Sequence, residues 1–169
     1  MSGGEWIARC AKPEPRSGAR VERHPAIASA DPSARPASLR EPRESHALGQ
    51  PFRLDLLPYL LVLDGELPVG AVPIALLGDD LLLLGLADQP DLGQPGLCTA
   101  LLREALAIGR EIGRRRILAP LTNADALALF YLQAEGFALQ AVNPYEGPER
   151  FGIGGVAATH ELVLEYRIA

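Results

Sequence analysis

The residues with the greatest capacity for chemistry lie between Gly93 and Phe137. Gly93-Gln94-Pro95-Gly96 forms a turn that opens directly into an amphipathic stretch beginning at Leu97. A helix starting there leaves its first N–H groups without carbonyl acceptors. Those donors, aligned with the helix dipole, favour a phosphate or diphosphate over a neutral ligand. An ordinary tight turn is the competing reading of the two glycines. Cys98, at the second position of this helix, reads either as a thiol with a lowered pKa or as a small side chain filling a tight slot, and we adopt the second reading. His24, His46 and His160 share no spacing with one another or with a carboxylate, so they read as surface or strand residues. Cys10 and Cys98 lie far apart without CxxC or Cys-His spacing, which suggests neither a disulfide framework nor a zinc site.

The elements that must position these groups are legible from periodicity. Tyr59 to Leu63, Val69 to Leu77 and Leu81 to Leu86 are apolar runs separated by Asp64-Gly65 and Gly78-Asp79-Asp80, which predicts a three-strand antiparallel meander. Pro68 and Pro73 cannot donate to a ladder, so the middle strand is expected to carry a bulge or an unpaired edge. Leu97, Leu101, Ala105, Ile108 and Ile112 recur at helical spacing, and Gly113 is the expected stop. Arg114, Arg115 and Arg116 complement the negative helix end and lead into a strand over Ile117 to Leu121. Thr122 or Asn123 is the expected cap of a second helix that ends at Gly136. Strands near Phe137 to Val142 and Glu161 to Ile168 close the series.

The chain of 169 residues divides by composition into 1–50 and 51–169. Six prolines interrupt residues 1–50 and no apolar face emerges there, which predicts a mostly disordered or loosely attached segment. Residues 51–169 carry 8 basic against 15 acidic side chains. That balance argues against general nucleic-acid binding while allowing a local anion pocket. No apolar run reaches the ~18 residues that spanning a bilayer requires, and the start lacks a signal-like apolar core, so no membrane association is expected and a cytoplasmic location is the default.

The segment GQPGLCTALLREALAIGREIGRRRILAPLTNADALALFYLQAEGF resembles the acyl-CoA-binding core of the GNAT N-acetyltransferase superfamily. Gly96 fills the family's glycine, Cys98 its small residue and Thr99 to Leu102 its T-A-L-L, and the resemblance extends over residues 51–169. It implies an α/β (α+β) fold with a mixed central sheet flanked by helices, acting as an N-acetyltransferase with acetyl-CoA as cosubstrate and no metal. The acceptor implied is an amine of a small molecule or a protein, and pairing through the last strands suggests a homodimer. Cofactor contacts implied are Gln94, Gly96, Leu97, Cys98 and Thr99 for the pyrophosphate, with Leu86, Ala87 and Asn123 along the pantetheine arm. A helix cap is the alternative for Asn123.

The implied chemistry needs an acid for the leaving thiolate and a base for the amine. Tyr131 is the nearest tyrosine for the first role and Asp88, or Asp91 after it, for the second. Departures from the family pattern stand beside these assignments. Gly93 replaces Gln or Arg, Pro95 removes an N–H from the turn, and Leu132 occupies the usual tyrosine position, one helical step of about 100° from Tyr131. A local shift or bulge of the helix would be needed to bring Tyr131 into line, and a structural aromatic is its other reading. The strand and helix pair that normally walls the acceptor site has no counterpart in the proline-rich start. The alternative function is therefore a catalytically impaired acyl-CoA-binding or protein-interaction domain of the same fold. A nucleotide-binding Rossmann domain fits less well, because no glycine fingerprint follows a first strand and Leu121 leads into Thr122-Asn123 instead of an acidic residue.

Overall fold

The computed structural model describes residues 18–24, 39, 42–86, 92 and 96–169. Its strands are β1 (Ala19–His24), β2 (Glu44–Ala47), β3 (Gln50–Arg53), β4 (Tyr59–Asp64), β5 (Leu67–Leu77), β6 (Asp80–Leu83), β7 (Arg116–Thr122), β8 (Ala138–Pro144) and β9 (His160–Arg167). Among the described residues two α-helices, α1 (Leu97–Glu111) and α2 (Ala126–Ala134), follow β6 and β7. Seven strands form one sheet in the order β1-β4-β5-β6-β7-β9-β8, and β2 and β3 form a separate hairpin. All pairings in the large sheet are antiparallel except β6 with β7.

Both faces of the sheet are covered, which is why the sequence reads as continuous leucine runs instead of alternating ones. Leu81 and Leu83 pack with Ile117, Ala119 and Leu121 beneath α1 and α2. Leu82, Leu84 and Leu118 point the other way, toward Leu39, Ala47 and Leu54 on the hairpin side. The period of two thus sorts one run into two cores. The meander forms as expected, and the register shifts between Val62 and Leu63, which face Gly70 and Pro68, so that Val69 is the extra residue of a bulge beside a proline that cannot donate to the ladder.

Both helices end in the same way. Gly113 (φ 68) donates to the Arg110 carbonyl at 3.2 Å and Arg114 to Gly109 at 2.7 Å. Gly136 (φ 101) donates to Gln133 at 3.0 Å and Phe137 to Leu132 at 3.1 Å. This paired closure satisfies the last carbonyls and uses a left-handed residue that glycine adopts without steric cost.

Two stretches within residues 1–50 differ from the expected loose attachment. Strand β1 pairs with β4 along its whole length, from Ala19↔Asp64 to His24↔Tyr59. Arg23 holds it to α1 through Glu104 and through a two-pronged bond to Glu111 at 2.6 and 2.9 Å. Ala19 and Val21 pack on the helix-side core, so two small apolar residues and one arginine suffice where composition gave no signal. The β2–β3 hairpin turns at Leu48 (φ 53) and Gly49 (φ 71), and the Leu48 N–H donates to the buried Glu161 carboxylate at 2.8 Å.

A candidate active site where two strands part

The parallel pairing of β6 with β7 runs from Asp80↔Arg116 to Leu82↔Leu118 and stops there. Beyond it β7 stays with β9 as far as Thr122↔Glu161. The other strand turns away: Leu84 donates to the Pro73 carbonyl at 2.9 Å, and Gly85 adopts a φ of 66. A gap opens between Leu86 on one side and Leu121–Thr122 on the other.

Two cavities meet at this gap. One, of about 510 Å³, lies on the helix side between Leu86, residues 123–128 at the start of α2, Tyr131 and the loop around Phe151–Ile153. The other, of about 350 Å³, lies on the hairpin side, walled by Arg43–His46 of the β2 edge, Gly85, Leu121, Thr122 and the loop from Tyr145 to Phe151. Leu86, Asp125, Arg150 and Phe151 line both. The loop over them must sit close: a Cβ on Gly152 would lie 2.0 Å from the Ala124 carbonyl oxygen.

Tyr131 lines the helix-side cavity beside Leu86. It is 7% exposed, and its hydroxyl donates to the Leu86 carbonyl at 3.0 Å. Burial pushes its phenol well above the ordinary tyrosine value, with Cys98 and Asp125 adding to the shift, so the hydroxyl keeps its proton. The helix runs from Ala126 to Ala134 without the bulge the family register demanded. Leu132 is 1% exposed and belongs to the helix-side core.

The N-terminus of α1 starts from a glycine. Gly96 caps it in the left-handed region (φ 84, ψ −17), and its carbonyl accepts from Ala100 at 3.0 Å. The amides of Leu97 and Thr99 precede that bond and have no acceptor within the helix. Leu97 and Cys98 are buried in the helix-side core, consistent with Cys98 filling a small slot. The Thr99 hydroxyl donates to Glu135 at 2.6 Å, bringing a carboxylate from the end of α2 to this site. Ala87, Asp88, Asp91, Gly93, Gln94 and Pro95 lie outside the described residues.

Asn123 does not cap α2. The cap residue is Asp125, whose carboxylate receives the Thr122 N–H at 2.7 Å, the Thr122 hydroxyl at 2.9 Å and Arg150 at 2.8 Å. Asn123 instead binds the strand opposite, donating to the Ala157 carbonyl at 2.9 Å and accepting from Thr159 and His160 at 2.8 and 2.9 Å. Its amide therefore shapes the end of the gap chiefly by fixing the β8–β9 loop.

Sequence reasoning missed Glu44, His46, Asp125, Tyr145, Glu149 and Arg150, all of which line the hairpin-side cavity. Only Asp125 had a usable signal, since Thr-x-x-Asp ahead of an apolar run is a helix-start pattern. The others sit in loops or a four-residue strand, where no period marks them.

No sequence-family model and no curated protein sequence matches this chain. Its similarities are to solved structures. An IAA acetyltransferase from Bacillus cereus ATCC 14579 superposes with a TM-score of 0.60 at 15% identity, covering 88% of this chain and 99% of that one. A GNAT family acetyltransferase from Elizabethkingia anophelis with acetyl-CoA bound gives 0.55 at 12% identity, covering 90% and 99%. A probable GNAT-family acetyltransferase from Chromobacterium violaceum ATCC 12472 gives 0.51 at 13% identity, covering 65% and 56%. The chain has a divergent form of the GNAT acetyltransferase fold. Among the described residues no helix is long and apolar enough to cross a membrane, and no group of side chains has the makings of a metal site.

Proposed function

We propose that the chain transfers an acetyl group from acetyl-CoA to an amine, on a small molecule or a protein. The observation that carries this reading is the pair of cavities meeting where β6 and β7 part. A thioester entering from the helix side and an amine entering from the hairpin side come together within the sheet, held for direct attack. The N-terminus of α1 suits the coenzyme's diphosphate, with Gln94, Gly96, Leu97, Cys98 and Thr99 around it. Leu86 and Ala87 then follow the pantetheine arm toward the gap, which ends at Asn123.

In the reaction the amine nitrogen bonds to the acyl carbon as the carbon–sulfur bond breaks. Tyr131 supplies a proton to the leaving sulfur and is re-protonated from solvent; its raised pKa works against this transfer, and the role rests on the position of its hydroxyl beside Leu86 in the helix-side cavity. Asp88 or water takes the proton the amine loses. The products are an amide and the free thiol.

Two measurements test this. Acetyl-CoA should raise the melting temperature, because a ligand bound only by the folded chain stabilises it. Free thiol should appear when amines are added. A chain that neither binds acetyl-CoA nor releases thiol is no transferase. Binding without thiol release across a broad amine panel would support the second reading, a coenzyme-binding domain, for which Leu132 in the usual tyrosine position is the motivating observation.

A further inference from the structure

The helix-side cavity has an apolar rim that bears on the acyl group, and the inference rests on the transferase reading above. Leu127 on α2 and Phe151, Ile153 and Val156 in the loop between β8 and β9 line it, and all four are exposed. Ile153 is 87% exposed and adds almost nothing to the core. Single apolar residues scattered over a surface need no explanation, but four around one concavity mark a binding groove. The polar side chains of the same cavity are committed. Asn123 donates to the Ala157 carbonyl at 2.9 Å, Asp125 is bonded to Thr122 and Arg150, and Tyr131 donates to Leu86 at 3.0 Å. Backbone donors remain at the start of α2. No side chain caps it, and the amides of residues 126–128 precede the bond from Leu129 to the Asp125 carbonyl. The cavity thus joins a few N–H donors, which suit a carbonyl oxygen, to a wall that suits hydrocarbon.

We propose that this cavity holds the hydrocarbon chain of an acyl group longer than acetyl, on the order of four to six carbons, along Leu127, Ile153 and Val156. Tyr131 and Leu86, beside which the leaving sulfur lies in the reading above, line the same cavity of about 510 Å³. The acyl carbon is one bond from that sulfur, so a chain attached to it starts within reach of the rim. The pantetheine arm, with its amides, needs polar partners and follows Leu86 and Ala87 instead. A methyl group gains little from four exposed apolar side chains, whereas each methylene buried on them strengthens binding by up to about fourfold. The bonds that change are unaltered. The amine nitrogen joins the acyl carbon, the carbon–sulfur bond breaks, the sulfur takes a proton, and the chain stays on the amide.

Calorimetry with acetyl-CoA, butyryl-CoA and hexanoyl-CoA makes the test. Hexanoyl-CoA should bind at least about 10-fold more tightly than acetyl-CoA, with butyryl-CoA between them. In the double variant Leu127→Ser, Ile153→Ser that ratio should fall to about one. Ile153→Ser alone, at a loop position outside the core, should lower it in the same direction. Thiol release with a panel of amines is read beside binding. Tighter binding of hexanoyl-CoA that both variants weaken, without thiol release from any of the three thioesters, would keep this assignment and sink the transferase reading. Thiol release from acetyl-CoA that binds at least as tightly as hexanoyl-CoA would sink the assignment and keep the transferase. A preference for hexanoyl-CoA unchanged in the double variant would place the chain elsewhere and overturn the assignment as well.

Discussion

On the helix side of the gap, the groups to which the proposed function gives a role sit on regular elements. Tyr131 lies within α2, Leu86 follows β6, and the α1 N-terminus is fixed by packing of Leu97 and Leu101. On the hairpin side the wall is a pair of four-residue strands and a loop containing Gly147, Gly152, Gly154 and Gly155. Its attachment depends on polar anchors: Glu161 holds Leu48, Asp125 holds Arg150, and Asp55 holds both Arg53 and the Arg43 N–H. The difference assigns the two sides different work. Under the proposed function, the side built on regular elements would present the same coenzyme geometry to any acceptor, while short strands and loops on a fixed scaffold are where acceptor choice could change without disturbing the core.

The largest effect that can break this comparison is expected at Tyr131. Tyr131→Phe should lower kcat by about 100-fold if the hydroxyl is the acid, with little change in acetyl-CoA affinity. A variant with unchanged kcat would reduce Tyr131 to a core aromatic. Restoring the family pattern should fail for a packing reason. Leu132→Tyr places a larger, polar-tipped side chain in a filled core and should cost about 1–3 kcal/mol in denaturant unfolding, with no gain in turnover. Higher turnover in that variant would show that the family register, and not the present one, is productive.

Acid should separate the two sides. Asp55 is held at about 2, below the usual carboxylate range, chiefly by its bonds from Arg53 with help from the Arg43 N–H. Because the folded value is depressed, this stabilisation is complete above the unfolded carboxylate value of about 3.9 and is lost as pH falls toward the folded one. Amide protection in the hairpin should therefore decline over that interval in the wild type, and Asp55→Asn should show the loss already at neutral pH. Equal protection in the variant at neutral pH would show that Asp55 does not anchor this wall. The smallest effect is at the coenzyme end. Glu135→Gln removes a carboxylate bonded to Thr99 at the anion cradle and should tighten acetyl-CoA binding about 3-fold in calorimetry, more so at low salt. Weaker binding would mean that the Thr99–Glu135 bond chiefly holds the cradle in shape.

The contrast also decides how much was legible in the sequence. The order of elements from Tyr59 onward could be read because both cores impose periods, and even the break at Pro68 followed from a missing N–H. Both helix stops followed from Gly113 and Gly136. The start of α2 was misplaced because Thr122 spends its hydroxyl and N–H on Asp125, so the residue that looked like a cap is held by the true one. The β1 strand escaped notice because its order comes from Glu104 and Glu111, more than eighty positions away, and no local pattern encodes that. Glu44, Glu149 and Arg150 escaped for a similar reason: a charged loop residue reads as solvated until the fold shows what lies opposite it.

In the proposed function acetyl-CoA enters from the helix side of the gap. Backbone amide shifts during titration with acetyl-CoA test it most directly. The largest changes are expected at residues 96–100, Leu86 and 123–131, with the β2–β3 hairpin much less affected. Changes centred on the hairpin, or none at saturating coenzyme, would contradict it.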